Sequence, residues 1–295
     1  MERESLLAIL AILLGGAVLQ PFALWPSRAP REKTAAELER WTWIRLWIPV
    51  VPALFVAAGL VGWALREPDP VRDPLDRGVL LAAWAPFGVI FARAALRAVW
   101  AVARRPMDCA VSTVGLIQPQ VVFSPFLARQ LDEEVIRAAL AHERAHVLHR
   151  DPLRIWLAQW VTDLQWPWPG AMLRFERWLD ALELARDDEA RASGSDGADL
   201  AAAVLASMRF NSQLEPQDGA CFNGTQLAHA RLTGDSRALR NRVSRLLAPL
   251  TSRGKVQRLG TLQRAGYLLI PLLMAAVLLG VIYGERLVHP LLAVT

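Results

Sequence analysis

Two histidines four positions apart, His142 and His146, flank a carboxylate in the segment His142-Glu143-Arg144-Ala145-His146. On an α-helix such a pair is offset by only ~40° and ~6 Å of rise, so both imidazoles can converge on one metal ion at ~2.0–2.1 Å. Glu143, ~100° round from His142, can reach a water activated by that metal without becoming a ligand. Two ligands and one general base on a single turn are the parts needed for metal-assisted hydrolysis. A surface helix carrying two solvated histidines is the bland alternative.

A hydrolytic zinc site needs a third protein ligand. Downstream, Glu183-Leu-Ala-Arg-Asp-Asp-Glu-Ala190 places Glu183 and Asp187 on one helical face. Glu183 can complete the metal site, while Asp187, one turn on, can hydrogen-bond the far nitrogen of a ligand histidine and fix its tautomer. Asp180, Asp188 and Glu189 compete for these roles, and a solvated acidic face would explain the run without a metal. His149 shares the histidine face, but ~10.5 Å of helix rise separates it from His142. It reads as a surface or supporting residue.

The elements that must position these groups read as helices with one small hairpin. Val111 to Val114 and Gln120 to Phe123 are rich in β-branched residues and separated by Gly115 and Pro119, which predicts paired strands. Ser124-Pro125 reads as a helix start. Asp132-Glu-Glu-Val begins the histidine helix, which should run to about Arg150 because Asp151-Pro152 disfavours continuation. Ala171 to Ala192, Asp196 to Phe210 and a basic amphipathic stretch, Ser236 to Leu247, are the other helices; 211–225 reads as loop.

Composition sets this domain in a membrane. The chain of 295 residues is 54% hydrophobic, and most of its 12 tryptophans lie near the ends of apolar runs, as at a membrane–water interface. The apolar runs predict about four transmembrane helices, near 6–25, 43–65, 79–102 and 266–284. Pro49 and Pro52 should kink the second. Residues 1–103 then hold three spans, 104–262 a metal-binding domain, and 263–295 the fourth span with a short outward tail. The first run has no net-positive leader and no cleavage-like site, so it reads as an uncleaved span. Arg93 and Arg97, one turn apart in the third run, should snorkel or face other protein. Ile155 to Leu173 is apolar but carries Gln159, Asp163 and a Pro167-Trp168-Pro169 break, so it reads as a buried or membrane-surface helix.

Lysines and arginines cluster after the first and third spans and before the fourth (Arg231, Arg237, Arg240, Arg242, Arg245, Arg253, Lys255, Arg258 and Arg264 against Asp235). The positive-inside bias puts that side, and the domain, in the cytoplasm. The formal charge of +5 is explained by this bias, and no nucleic-acid motif accompanies it; no direct nucleic-acid binding is expected. Cys109 and Cys221 are far apart and in no ligand spacing, so they read as free thiols.

The stretch SPFLARQLDEEVIRAALAHERAHVLHRDPL (124–153) resembles the core of the BlaR/MecR-type antirepressor membrane metallopeptidases. Their pattern is a Pro-led segment, then HExxH followed by an Arg-Asp pair, here Arg150-Asp151. ELARDDEA resembles their acidic segment. The resemblance extends to three spans before the domain and one after it. It implies a mainly α, integral membrane protein of the bacterial inner membrane, with a cytoplasmic zincin-like peptidase domain. It implies zinc held by His142, His146 and Glu183, with Glu143 as catalytic base and Asp187 in support. The substrate would be a peptide or protein, a helix-turn-helix repressor or the chain itself, with the lipid bilayer as the other partner and a homodimer left open. The pairing of HExxH with ExxxD is also similar to the Ste24/HtpX-type membrane proteases. A non-catalytic signalling or scaffold protein with a vestigial metal site is the alternative of another class, against which the intact Glu143 argues.

Two departures stand out. A position usually Cys in the acidic segment is Arg186, read here as inconsequential. The chain ends soon after the fourth span, so a penicillin-binding sensor and direct β-lactam sensing are not expected. An edge strand near Gln120 to Phe123 could bind substrate as an added strand. An oxyanion donor is expected but not placed; His149 and His229 are weak candidates.

Overall fold

The computed structural model describes residues 9–10, 18–21, 23, 34–66, 77–103, 111–166, 168, 170–213, 236–249, 272 and 274–283. Most of the first predicted span, both cysteines, His229 and residues 67–76, 214–235, 250–271 and 284–295 lie outside them. The described residues are mainly helical with one two-stranded sheet.

Helix α1 (Ala35–Trp47) is started by a capping box: Thr34 Oγ1 accepts from Glu37 N, and Glu37 returns a bond to Thr34 N. Residues 48–50 form a turn centred on Pro49, and α2 (Val51–Arg66) follows with Pro52 in its first turn, where its missing N–H costs nothing. The predicted kink in the 43–65 run is therefore a break between two helices. Together they make Ala35–Trp63, with a mean hydropathy of 2.0 in its most apolar window. Among the described residues it is the one helical stretch long and apolar enough to cross a membrane.

Helix α3 (Arg77–Ala103) covers the third predicted run. The hairpin forms as expected, with β1 (Val111–Val114) antiparallel to β2 (Gln120–Phe123) and Thr113 opposite Val121. Gly115 at φ 95° makes the turn that a side chain would strain. The short α4 (Pro125–Ala128) leads into α5 (Glu133–His149), which has acids in its first turn. Arg150 ends α5 in the left-handed region at φ 51°, and α6 (Asp151–Leu164) starts at once. Helices α7 (Gly170–Ala192), α8 (Gly197–Gln213) and α9 (Ser236–Leu247) fall close to their predicted bounds, and the apolar helix Met274–Tyr283 is α10.

Helix α6 resolves the ambiguous 155–173 run: the helix stops at Leu164, and α7 has begun by Gly170. Ile155, Ala158 and Val161 are fully buried in a core that joins α1 (Leu46), α3 (Phe87), α6 and α7 (Phe175, Trp178, Leu182). Helices α6 and α7, the latter carrying Glu183, are thus packed onto α1 and α3. Arg97, on α3, finds Asp163 at 2.7 Å, so it faces other protein and supplies the partner that a partly buried carboxylate requires. A second core joins α5, α7, α8 and α9 through Ala138, Ala190, Leu200 and Leu246.

Helices α2 and α10 meet backbone to backbone. A Cβ at Gly62 would overlap the carbonyl of Val277, and one at Gly280 would overlap the carbonyl of Gly59. Small residues at such a crossing are the usual means of close helix approach in lipid. The other faces of these helices expose Val56, Val61, Leu278 and Ile282.

Candidate metal centre

Helix α5 presents His142 and His146 inward because Ala138, Ala139 and Ala145 give that face a low, apolar profile that packs closely; both histidines and Glu143 are buried. Helix α7 crosses it and brings Glu183, itself 1% exposed, between the two imidazoles. The Nε2 atoms of His142 and His146 lie 3.0 Å apart. Glu183 Oε2 is 3.5 Å from the first, and its Oε1 is 3.7 Å from the second. These three side chains offer ligand atoms within 4.8 Å of one another, a buried group that could hold a metal ion.

The other nitrogen of each ring faces a carboxylate. His146 Nδ1 is 2.8 Å from Asp151 Oδ2, and His142 Nδ1 is 3.0 Å from Asp187 Oδ1, in ion-pair range but off the line of a well-aligned hydrogen bond. A neutral imidazole that keeps its proton on the Nδ1 side turns a bare Nε2 lone pair to the centre. The two Nε2 atoms can share one proton, and Arg242 Nη2 lies 3.4 Å from that of His142; with both rings neutral, the facing lone pairs and the Glu183 carboxylate leave a place for a cation. This donor set, two nitrogens and one carboxylate, suits zinc.

Electrostatics point the same way. Burial opposes charge on His142, but the adjoining Asp187 and Glu183 outweigh it and raise its pKa to about 9. Burial also opposes ionisation of Asp187, yet the Arg242 guanidinium holds that carboxyl well below the usual range. Asp151 is likewise held far down by Arg186, against full burial. The pocket selects positive charge.

Glu143 is not among the metal-group residues. Its carboxylate accepts from Thr113 Oγ1 at 2.7 Å, and the same hydroxyl lies 3.1 Å from the Glu143 carbonyl. The hairpin therefore aims the proposed base, which is a role for β1 that its sequence did not announce. His149 lies apart from the three-residue group, paired with Glu189 at 2.8 Å. Asp188 also turns away, to Arg245 at 2.6 Å.

Three residues escaped the sequence reading. Asp151 was visible as half of an Arg-Asp pair and of a helix stop, yet it is fully buried and pairs with His146. Arg186, the departure from the usual Cys, is buried and forks onto Asp151 through Nε (2.5 Å) and Nη2 (3.0 Å), a contact the sequence did not announce. Arg242, on α9, is 4% exposed. Its Nε and Nη2 bind Asp187 at 2.7 and 2.8 Å, and its Nη1 lies 3.0 Å from Glu183. A signal for it existed: Arg242 shares a helix face with Leu239 and Leu246, so this arginine had to point into the core. No family model, curated protein or solved structure matches the chain.

Proposed function

We propose that the chain is a membrane-anchored zinc metallopeptidase. The observation that carries this reading is the convergence of His142, His146 and Glu183 at one buried point, with Glu143 beside them. Bound zinc would supply a Lewis acid that polarises a scissile carbonyl and makes water acidic enough to attack it near neutral pH. Glu143, aimed by Thr113, takes the proton of the attacking water and passes it to the leaving amine. Asp187 and Asp151 hold the two imidazoles in the orientation that ligation needs. Arg242 balances Asp187 and Glu183.

The membrane part of the proposal has three supports: the stretch Ala35–Trp63, the glycine crossing of α2 and α10, and apolar side chains exposed on α3, among them Val89, Phe91, Leu96 and Val99. Four spans, a bacterial inner membrane and a cytoplasmic domain accord with the charge distribution. The proposed substrate is a cytoplasmic regulatory protein, such as a repressor, or the chain itself.

The test uses the full chain in detergent micelles. One zinc per chain and hydrolysis of an unstructured protein such as casein are expected, with Glu143→Gln keeping the zinc and losing the hydrolysis. Undiminished cleavage in that variant would sink the mechanism. Unchanged zinc content in Glu183→Ala would move the third ligand elsewhere.

A further inference from the structure

Asp151 is not an isolated partner of His146. It lies at a junction where three side chains meet. His146 Nδ1 and Arg186 Nε share its Oδ2, and Arg186 Nη2 and Arg154 Nη1 share its Oδ1, the last at 3.0 Å. Arg154 then leaves the metal domain. Its Nη2 bonds to Glu39 Oε1, a buried carboxylate on α1, 115 positions earlier in the chain. The guanidinium is held there by two indoles, with its Cζ 5.1 Å from the ring centre of Trp43 and 5.7 Å from that of Trp178. Trp43 is one turn beyond Glu39, and its ring sits 4.9 Å from that of Trp178 on α7, the helix that carries Glu183.

We infer that Glu39 is a positioning residue for the metal ligand His146, acting through Arg154 and Asp151. The inference rests on the metallopeptidase reading and extends it to the helix that leads into the apolar stretch. A fork of two guanidinium nitrogens joins carboxylates from two different elements, and such planar, bidentate bridging fixes geometry as well as charge. With Glu39 in place, Arg154 divides its charge between two carboxylates. Without it, the full charge falls on Asp151, which then accepts less well from His146 and leaves that imidazole a poorer donor to the metal. The side chain also loses its second anchor, so Asp151 is held less firmly.

The experiment measures zinc affinity of the full chain in micelles by chelator competition, with the absorption spectrum of the cobalt-loaded protein as a report on ligand geometry. Asp151→Asn should weaken zinc roughly 10–100-fold, the usual range for a residue that touches a ligand histidine. Glu39→Gln should weaken it less, on the order of threefold to tenfold, and shift the cobalt bands. Arg154→Lys keeps the charge but cannot bridge both carboxylates, so it should match Glu39→Gln. The double variant Glu39→Gln/Asp151→Asn should bind zinc no more weakly than Asp151→Asn alone, because both act through one path. Wild-type affinity and spectrum in Glu39→Gln, or additive losses in the double variant, would overturn the inference and leave the peptidase reading intact. Failure of both Glu39→Gln and Arg154→Lys to fold would overturn it by making the contact purely structural. A wild-type chain that binds no zinc would remove the peptidase reading and this inference together.

Discussion

Replacing Arg242 by methionine tests whether the metal centre is a charge-balanced pocket. The guanidinium is buried and meets Asp187 twice, at 2.7 and 2.8 Å, and Glu183 once, at 3.0 Å. Methionine fills a similar volume and removes the charge, leaving two buried carboxylates without that partner. Breaking a buried pair in this way costs about 3–5 kcal/mol. At ~2–4 °C per kcal/mol for a unit of this size, the metal-free variant should melt roughly 6–20 °C below the metal-free wild type. Zinc should recover much of the loss, because a dication supplies the missing charge; ligand at about 100 times its Kd contributes ~2.7 kcal/mol to any protein that binds only when folded. The assay is thermal unfolding in micelles by tryptophan fluorescence, with chelator and with excess zinc. The zinc-induced rise should be larger in Arg242→Met than in wild type. A metal-free variant that melts within 2 °C of wild type would refute the reasoning, since the carboxylates would then not need the guanidinium.

Thr113→Val keeps the shape of β1 but deletes the hydroxyl that donates to Glu143; it should leave zinc content unchanged and lower kcat by about 10-fold, less than the roughly 10²–10⁴-fold that a general base itself supplies, as read by initial rates on casein. Acid should unfold the domain through its buried carboxylates. Both Asp151 and Asp187 have folded pKa values far below the ordinary carboxyl value of 3.8; their stabilisation is therefore complete above that value and is lost as pH falls below it. Circular dichroism from pH 7 to 2 should show the helix signal holding to about pH 4 and then falling, and a loss centred above pH 5 would contradict it. Gly280→Val would drive a side chain into the carbonyl of Gly59 and should separate α10 from α2, seen as lost crosslinking between cysteines placed on the two helices.

Local features of the sequence carried much of this structure. The hairpin was legible because β-branched runs flank a glycine and a proline, and a two-residue period leaves little choice of register. The ends of α5 were legible because an acidic first turn (Glu133, Glu134) suits a helix N-terminus and Asp151-Pro152 disfavours continuation. His142 and His146 were legible because ligand spacing on a helix is a local property, whereas Glu183 stood among competing acids until the crossing of α5 and α7 chose it. What could not be read was the electrostatic frame. Arg186 reaches Asp151 across 35 positions and Arg242 reaches Asp187 across 55. Nothing in the neighbourhood of either arginine says which acid it will meet. The 155–173 run was ambiguous for a related reason: an apolar helix suits a buried core as well as a membrane surface, and only its packing with Leu46 and Trp178 shows it buried.

The charge around the centre ties these parts together. Buried carboxylates Glu143, Asp151, Glu183 and Asp187 lie around the two histidines, and the guanidiniums of Arg154, Arg186 and Arg242 pair with Asp151, Asp187 and Glu183. Burying a carboxylate costs several kcal/mol unless it is compensated. His142 supplies one partial remedy, since Asp187 and Glu183 raise its pKa to about 9 and favour a proton there. A divalent cation among His142, His146 and Glu183 would be another, and it needs both imidazoles in the neutral form, which Asp187 and Asp151 are placed to orient. The arginines thus set how much positive charge the centre still accepts, and proton and metal compete for the same place.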